Sequence, residues 1–114
     1  MREPLRDKDR LEHIIQAIEK TEDYTKNINK EQFLADSMRL HATTYNIQIV
    51  GEATYRLSLE FKAKHSEVQW SFIEKMRHVI VHDYYQINKN ILWQVITEDL
   101  PPLKAQVNDY LKEM

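Results

Sequence analysis

The stretch Leu11-Glu12-His13-Ile14-Ile15-Gln16-Ala17-Ile18 decides the class of fold. Its aliphatic residues at positions 11, 14, 15 and 18 follow the spacing i, i+3, i+4, i+7, which places them on one face of an α-helix. We therefore predict a first helix from about Leu5 to Tyr24, with this face turned toward a hydrophobic core.

The composition around this stretch favours a helical domain and excludes several other classes. The chain has 114 residues, which is the size of one domain, and only one glycine and three prolines. So few turn-forming residues argue against a β-sandwich or a β-barrel and exclude a glycine-rich phosphate loop. The lack of cysteine excludes a disulfide scaffold, a thiolate metal site and a cysteine nucleophile. We expect a single all-α domain over residues 1–114.

The second helix is predicted to be long, from about Lys30 to Lys62. Asn29 is a candidate N-cap, and Gln32 stands where a capping box needs its partner. One stripe of this helix advances by three or four residues at each step, and we expect it to face the core. It consists of Leu34, Met38, Ala42, Tyr45, Ile49, Ala53 and Leu57.

Other apolar residues of the same helix lie off that stripe, at Phe33, Leu40, Ile47, Val50 and Leu59. Two apolar faces fit either the central helix of a bundle or a homodimer interface. We expect a homodimer, because twofold homo-oligomers are common. Gly51 in this helix costs about 1 kcal/mol relative to alanine, unless a neighbouring backbone packs against it.

Three further helices complete the prediction, an antiparallel bundle of four to five helices. The third begins near Ser66 and ends around Tyr84 or Tyr85, and the fourth begins at Asn88 as its N-cap. Asp99 is expected to cap the fifth, since proline is tolerated in a first helical turn. The predicted inward residues are Trp70, Ile73, Met76, Val79 and Ile80, then Ile91, Leu92, Val95 and Ile96, then Leu103, Val107 and Leu111.

The charge balance limits the partners that the protein can have. Sixteen Lys and Arg against eighteen Asp and Glu give a formal net charge of −2, whereas a protein that binds nucleic acid by bulk electrostatics is clearly basic. Contact with RNA would therefore use a local patch. No segment has the about 20 apolar residues of a membrane span, and the N-terminal residues lack an apolar signal core. We expect a cytoplasmic protein.

The densest polar cluster runs from Glu74 to Tyr85 and contains Arg77 and His82. A histidine can take a proton from a ribose 2′-hydroxyl or give one to a leaving oxygen, and an arginine can hold a phosphate. On an ideal helix, however, these two side chains point about 140° apart. They converge only if the helix end distorts, if the Arg77 side chain wraps around the helix, or if a second subunit closes the site. The spacing of Arg77 and His82 alone is compatible with a catalytic pair, and it is also compatible with an ordinary solvated helix end.

His78 and His82 also have the i, i+4 spacing of zinc ligands, with Asp83 as a possible third ligand. A zinc-protease motif needs Glu directly after the first histidine, and here Val79 follows it. We therefore expect no metal and no other cofactor.

Several segments, taken in their order and spacing, resemble the HepT-like branch of the HEPN superfamily, which comprises ribonuclease toxins of toxin–antitoxin pairs. They are Tyr24-Thr25, Phe33-Leu34-Ala35-Asp36, Ile49-Val50-Gly51-Glu52-Ala53, Trp70, Met76-Arg77-His78, Val81-His82-Asp83-Tyr84-Tyr85, Ile91-Leu92-Trp93 and Asp99-Leu100-Pro101. The resemblance covers about residues 8 to 107. The family signature is Arg-x4-His-x-Tyr, and Arg77, His82 and Tyr84 match it position for position.

The resemblance implies an all-α bundle that dimerises, with active sites in a cleft between protomers. It implies a type VII toxin, a metal-independent endoribonuclease with Arg77 and His82 as catalytic residues and His78 and Asp83 in support. It also implies a partner, a minimal nucleotidyltransferase (MntA-like) antitoxin that transfers AMP from ATP to Tyr84. The sequence departs from the branch in having His78 where asparagine is most frequent and Lys26 where glycine often follows Tyr-Thr.

A second function fits the same residues. The protein would then be a non-catalytic helical dimer that binds a nucleotidyltransferase and holds nucleotide or RNA without cutting it. The net charge of −2 favours this alternative, because binding of RNA by such a chain would be weak and sensitive to salt.

Overall fold

A computed structural model describes residues 6–114 as a bundle of helices with one short β-hairpin. The all-α fold is therefore confirmed, although several of its helices are shorter than predicted. In chain order the elements are α1 Asp7–Thr25, α2 Lys30–Leu34, α3 Ser37–Tyr55, α4 Leu59–Lys64, α5 Trp70–Glu74, α6 Met76–Ile80, β1 Val81–His82, β2 Gln86–Ile87, α7 Lys89–Gln94, a π-helical turn Val95–Asp99 and α8 Leu100–Lys112.

The first helix has its predicted core face. Leu11, Ile14 and Ile18 are buried, and Ile15 is partly buried. The described helix begins at Asp7, while the predicted start at Leu5 lies outside the described residues.

Helices α1 and α3 form the centre of the bundle and run antiparallel. At one end the Asp7 carboxylate accepts hydrogen bonds from the backbone N–H of Ser58 (2.8 Å) and from its hydroxyl (2.7 Å). At the other end the Arg39 guanidinium donates to the carbonyl of Tyr24 at 2.8 Å. Helix α8 covers α1 from another side.

Two of the predicted helix starts are confirmed by side-chain capping. The Asn29 side chain accepts from the N–H of Gln32 (2.8 Å), and the Gln32 side chain accepts from the N–H of Asn29 (2.9 Å). Asn88 likewise accepts from the N–H of Ile91 at 3.1 Å and begins α7. Such caps satisfy N–H groups that have no partner within the helix, so they can be recognised from local sequence.

The prediction of one helix from Lys30 to Lys62 is wrong, because two more capping side chains interrupt it. Asp36 accepts from the N–H of Arg39 at 3.0 Å and starts α3. Ser58 accepts from the N–H of Phe61 at 3.0 Å and starts α4. Each cap replaces the missing helical hydrogen bonds where the chain changes direction.

The predicted core face of this segment is wrong in part, because Ala53 and Leu57 are buried as predicted but other members of the stripe are not. Met38 is 81% exposed and Tyr45 is 62% exposed, although both were placed in the core. The residues that α3 buries include Leu40, Ile47 and Val50, which the prediction placed off the stripe. Both faces of α3 carry apolar groups, and the positions of α1, α5 and α6 decide which one is covered.

The third predicted helix is shorter than expected at both ends. It begins at Trp70, with Gln69 rather than Ser66 as the N-cap. It is interrupted at Lys75, between α5 and α6, and it ends at Ile80. The Trp70 indole N–H donates to the carbonyl of His65 at 2.9 Å, and this bond holds the connection before the helix. Val79, predicted to point inward, is exposed.

Asp99 does not cap a new helix, contrary to prediction. Its backbone is helical, its side chain makes no capping bond, and the helix runs from α7 into α8 through the π-helical turn. There the N–H of Leu100 donates to the carbonyl of Val95, five residues earlier. Pro101 and Pro102 cannot donate to the preceding turn, and the wider π turn accommodates them without ending the helix.

Candidate functional site

Gly51 sets the position of the segment that carries the predicted site. A Cβ at Gly51 would lie 3.2 Å from the carbonyl oxygen of Glu74 and 3.4 Å from that of Ile73. Because glycine has no Cβ, the backbone of α5 can pack directly on α3, which is the condition under which a glycine inside this helix is not simply a cost. Helix α6 follows α5 after one residue, so this contact also determines where Arg77 stands.

Arg77 is partly buried at the start of α6 and lines two cavities. The first, of about 280 Å³, lies against α3 and is also lined by Gln48, Glu52, Tyr55 and His78. Within residues 6–114 the Arg77 guanidinium forms no salt bridge. Its charge and its donors are therefore available to a ligand in these cavities.

The carboxylate nearest to Arg77 in sequence is already paired with another cation. Glu74, which lines the same cavity, accepts from the ammonium group of Lys62 at 3.1 Å. Lys62 also donates to the carbonyls of Thr54 and Tyr55 at the end of α3. This pairing offsets the negative charge of Glu74. The Glu74 carboxylate therefore repels an anion bound at Arg77 less strongly than an unpaired carboxylate would.

His82 leaves the helix, contrary to the prediction that the helix continues to Tyr84 or Tyr85. The backbone becomes extended after Ile80, and Val81 and His82 pair with Ile87 and Gln86 in an antiparallel hairpin. The N–H of Asn88 donates to the carbonyl of Ile80 at 2.7 Å and closes the base of this hairpin. The angle of about 140° that an ideal helix would impose therefore does not apply.

The tip of the hairpin is a turn in a left-handed backbone conformation. Asp83 and Tyr84 have φ of 47° and 60°, and the N–H of Tyr85 donates to the carbonyl of His82 at 3.1 Å. Positive φ at both central residues is the mark of a type I′ turn, which usually needs Asn or Gly. A tyrosine in this conformation is strained, and strained backbone concentrates at functional sites.

The turn places Tyr84 at the edge of a cavity that Arg77 also lines, while keeping it accessible. Tyr84 is 86% exposed, yet it lines the second cavity of Arg77, of about 320 Å³, together with Tyr45 and Gln48. Within one chain the structure thus brings Arg77 together with Tyr84 and, in the first cavity, with His78.

Two predicted site residues are not part of this arrangement. His82 and Asp83 are exposed, and neither lines a cavity that Arg77 lines. A catalytic pair of Arg77 and His82 is therefore not assembled in either cavity of a single chain.

The sequence prediction missed one face of α3, which contributes to both cavities. Its residues Tyr45, Gln48, Glu52 and Tyr55 are exposed and recur at intervals of three and four. The signal was present, because aromatic and polar residues at helical spacing outline a second face of the helix. It was overlooked because Tyr45 was assigned to the core.

Residues 6–114 hold no group of three or more His, Asp or Glu side chains arranged to bind a metal ion. Over the same residues, no helix is both long and apolar enough to cross a membrane.

The helical bundle and its Arg-x4-His-x-Tyr segment define a small all-α protein in which an arginine lines two open cavities. The model of the HepT-like ribonuclease family matches residues 14–110. The chain belongs to this family, and the resemblance found in the sequence is confirmed.

Named relatives agree with this assignment. The chain is 37% identical over 103 residues to a protein of Caldanaerobacter subterraneus subsp. tengcongensis named "Putative RNase TTE0752", covering 90% of this chain and 92% of the relative. It is 36% identical over 99 residues to a Thermococcus cleftensis protein named "Probable ribonuclease HepT", covering 87% of this chain and 90% of the relative. No solved structure shows significant similarity to the chain.

Proposed function

We propose that the protein is a metal-independent endoribonuclease, the toxin of a type VII toxin–antitoxin pair, and that it works as a homodimer in the cytoplasm. The observation that carries this proposal is Arg77, which faces two cavities without a salt bridge in residues 6–114 and begins the Arg-x4-His-x-Tyr signature of a ribonuclease family.

In the proposed reaction Arg77 holds the scissile phosphate and offsets the charge that develops on it. The 2′-oxygen attacks the adjacent phosphorus, and the bond from phosphorus to the 5′-oxygen breaks. The 2′-hydroxyl loses its proton and the leaving 5′-oxygen gains one, with His82 as general base or acid. The products are a 2′,3′-cyclic phosphate and a 5′-hydroxyl. His78, which shares a cavity with Arg77, and Asp83, beside His82, support the site.

The dimer supplies what a single chain does not assemble. Because His82 is exposed on the hairpin and outside the cavities of Arg77, the proposed site combines Arg77 of one protomer with His82 of the other. Exposed side chains on the same side of the molecule, Tyr45 and Tyr85 among them, would be covered in such a dimer.

Mixed dimers test this arrangement. Arg77→Ala and His82→Ala should each lower RNA cleavage at least about 100-fold, while circular dichroism and light scattering show an unchanged fold and mass. When the two variants are co-expressed, half of the dimers are mixed and each holds one complete site. Cleavage should return to about a quarter of wild type. No recovery in dimers that do mix would contradict a site shared between protomers, and cleavage by His82→Ala at the wild-type rate would contradict the catalytic role itself.

Tyr84 is the proposed acceptor of AMP from a minimal nucleotidyltransferase antitoxin. Its hydroxyl stands on an exposed turn where the active site of another enzyme can reach it, and it shares a cavity with Arg77. An attached nucleotide adds bulk and a negative phosphate at the place where the phosphate of RNA would bind.

Tyr85 provides a matched control for this modification, because it is the adjacent tyrosine and is also exposed. After co-expression with a nucleotidyltransferase of this class, mass spectrometry should find AMP on the wild type and on Tyr85→Phe but not on Tyr84→Phe. Modification confined to another residue would contradict the assignment.

The separation of His82 from Arg77 within one chain also favours the non-catalytic alternative, a helical dimer that binds the nucleotidyltransferase or a nucleotide. Expression without the partner distinguishes the two functions. A nuclease arrests growth, and Arg77→Ala and His82→Ala both relieve the arrest; a binding module leaves growth unchanged.

A further inference from the structure

A groove between α1 and α3 concentrates positive charge on a chain whose formal net charge is −2. Its volume is about 360 Å³. Arg10, His13 and Lys20 line it from α1, and Arg56 lines it from the end of α3. The only carboxylate among its lining residues is Glu52.

The cations of this groove are not engaged by other parts of the described chain. Arg10, Lys20 and Arg56 form no salt bridge within residues 6–114. The Nε–H of Arg10 is buried and has no acceptor among those residues. A donor without an acceptor favours the binding of an anionic oxygen that can hydrogen-bond to it.

The groove leads directly to Arg77. Gln48 and Glu52 line both this groove and the first cavity of Arg77, and Gln48 also lines the second cavity, beside Tyr84. From Gln48 to Arg56 the distance along α3 is about 12 Å, at 1.5 Å per residue. A strand held at Arg77 could therefore continue along α3 into the groove.

Two exposed aromatic side chains flank this path. Tyr45 lines the groove and the cavity of Tyr84, and Tyr55 lines the first cavity of Arg77. Exposed aromatic rings next to cationic groups suit unpaired RNA, whose bases stack on the rings while its phosphates contact the cations.

We infer that the groove between α1 and α3 binds the phosphate backbone of single-stranded RNA next to the linkage held by Arg77, with Arg10 and Arg56 contacting phosphates and Tyr45 stacking a base. This inference rests on the proposed ribonuclease function, since it assigns the part of the substrate outside the scissile linkage. The α1–α3 groove would provide affinity, while Arg77 and His82 provide chemistry.

The experiment measures binding of a fluorescein-labelled single-stranded RNA by fluorescence anisotropy, in a His82→Ala background so that the RNA stays intact. The double variant Arg10→Ala/Arg56→Ala is compared with Lys8→Ala/Lys64→Ala, which removes the same charge at exposed positions outside the groove. Loss of two phosphate contacts should weaken binding at least tenfold and reduce the slope of log K against log salt by about 1.4. The control should change affinity less than twofold.

Three results would overturn the inference. The first is that the double variant binds RNA as tightly as the control does. The second is that AMP competes with the RNA at the concentration expected for a simple mononucleotide site. The third is that the double variant changes the mass measured by light scattering, which would make the groove a protein interface. If Arg10→Ala unfolds the chain, the exposed Arg56→Glu takes its place with the same expectations. Cleavage by the chain with His82 intact is measured separately. If the chain binds RNA through the groove but does not cut it, the nuclease proposal alone is contradicted. If the chain cuts RNA but the double variant binds RNA as tightly as the control does, the groove alone is contradicted.

Discussion

Replacing Gly51 with alanine tests the close packing that positions Arg77. At an exposed helical position the same replacement stabilises a protein by about 1 kcal/mol, because alanine has the higher helix propensity. At Gly51 the new Cβ would lie 3.2 Å from the carbonyl oxygen of Glu74, closer than the about 3.5–4.0 Å of an unstrained contact.

The contact has to be relieved by a shift of α5, because the neighbouring atoms are backbone rather than the end of a flexible side chain. Overpacking of this kind costs about 1–3 kcal/mol. After the gain in helix propensity is subtracted, Gly51→Ala should lower the free energy of unfolding by between about 0 and 2 kcal/mol. Cleavage should fall as well, since α6 and Arg77 follow α5.

Urea denaturation followed by circular dichroism measures the change, at one fixed protein concentration because association would alter the midpoint. Glu12, exposed in the middle of α1, provides the control: Glu12→Ala should be more stable than Glu12→Gly by about 1 kcal/mol. If Gly51→Ala stabilises the protein by the same amount as that control difference, the backbone contact does not constrain α5 and the reasoning fails.

Three further predictions concern stability. Tyr110→Phe removes the hydroxyl that donates to Glu67, and in the wild type this hydrogen bond lowers the pKa of the Glu67 carboxyl. Tm should therefore fall at pH 7, and the difference from wild type should shrink as the pH falls through the lowered pKa and Glu67 is protonated. Burial, and then the charge of Glu98, raises the pKa of Asp99, so Asp99→Asn should raise Tm at pH 7 and lose this advantage at acid pH, where wild-type Asp99 is neutral. Lys62→Met should cost about 2 kcal/mol in urea denaturation, because Glu74 and two carbonyls at the end of α3 lose their donor.

Exposed groups on α8 provide controls for these variants. Lys112 and Asp109 form a solvent-exposed pair at 3.9 Å, so Lys112→Met should change stability by less than about 0.5 kcal/mol. Asp109→Asn should leave Tm at pH 7 nearly unchanged, because the Asp109 side chain is exposed. If Lys112→Met lowers the free energy of unfolding as much as Lys62→Met does, the contacts of Lys62 do not explain the effect. If the rise in Tm of Asp99→Asn persists at acid pH, the charge of Asp99 is not its cause.

Local features of the fold were predictable because they depend on residues three or four positions apart. The core face of α1 is a pattern that repeats every three or four residues. The capping box at Asn29 and Gln32 and the N-cap at Asn88 are interactions within a single helical turn. The need for a neighbouring backbone at Gly51 was also predictable, since a glycine inside a helix is costly without one.

Features that depend on distant partners were not predictable. Both faces of α3 are apolar enough to enter a core, and only packing against α1, α5 and α6 determines that Ile47 is buried and Tyr45 is exposed. The breaks at Asp36 and Ser58 are marked by local caps of the same kind as Asn29, but the apolar periodicity continues across them and favoured one long helix.

The amino-acid sequence by itself determined the helical class and the family, and it picked out Arg77, His82 and Tyr84 as the residues that match the family signature. Periodicity, composition and motif spacing are properties of the chain alone. Tertiary structure alone decided that the helix ends before His82 and that Tyr84 lines a cavity together with Arg77. The reason is that hydrogen bonds across the hairpin hold a strained turn that local preference disfavours.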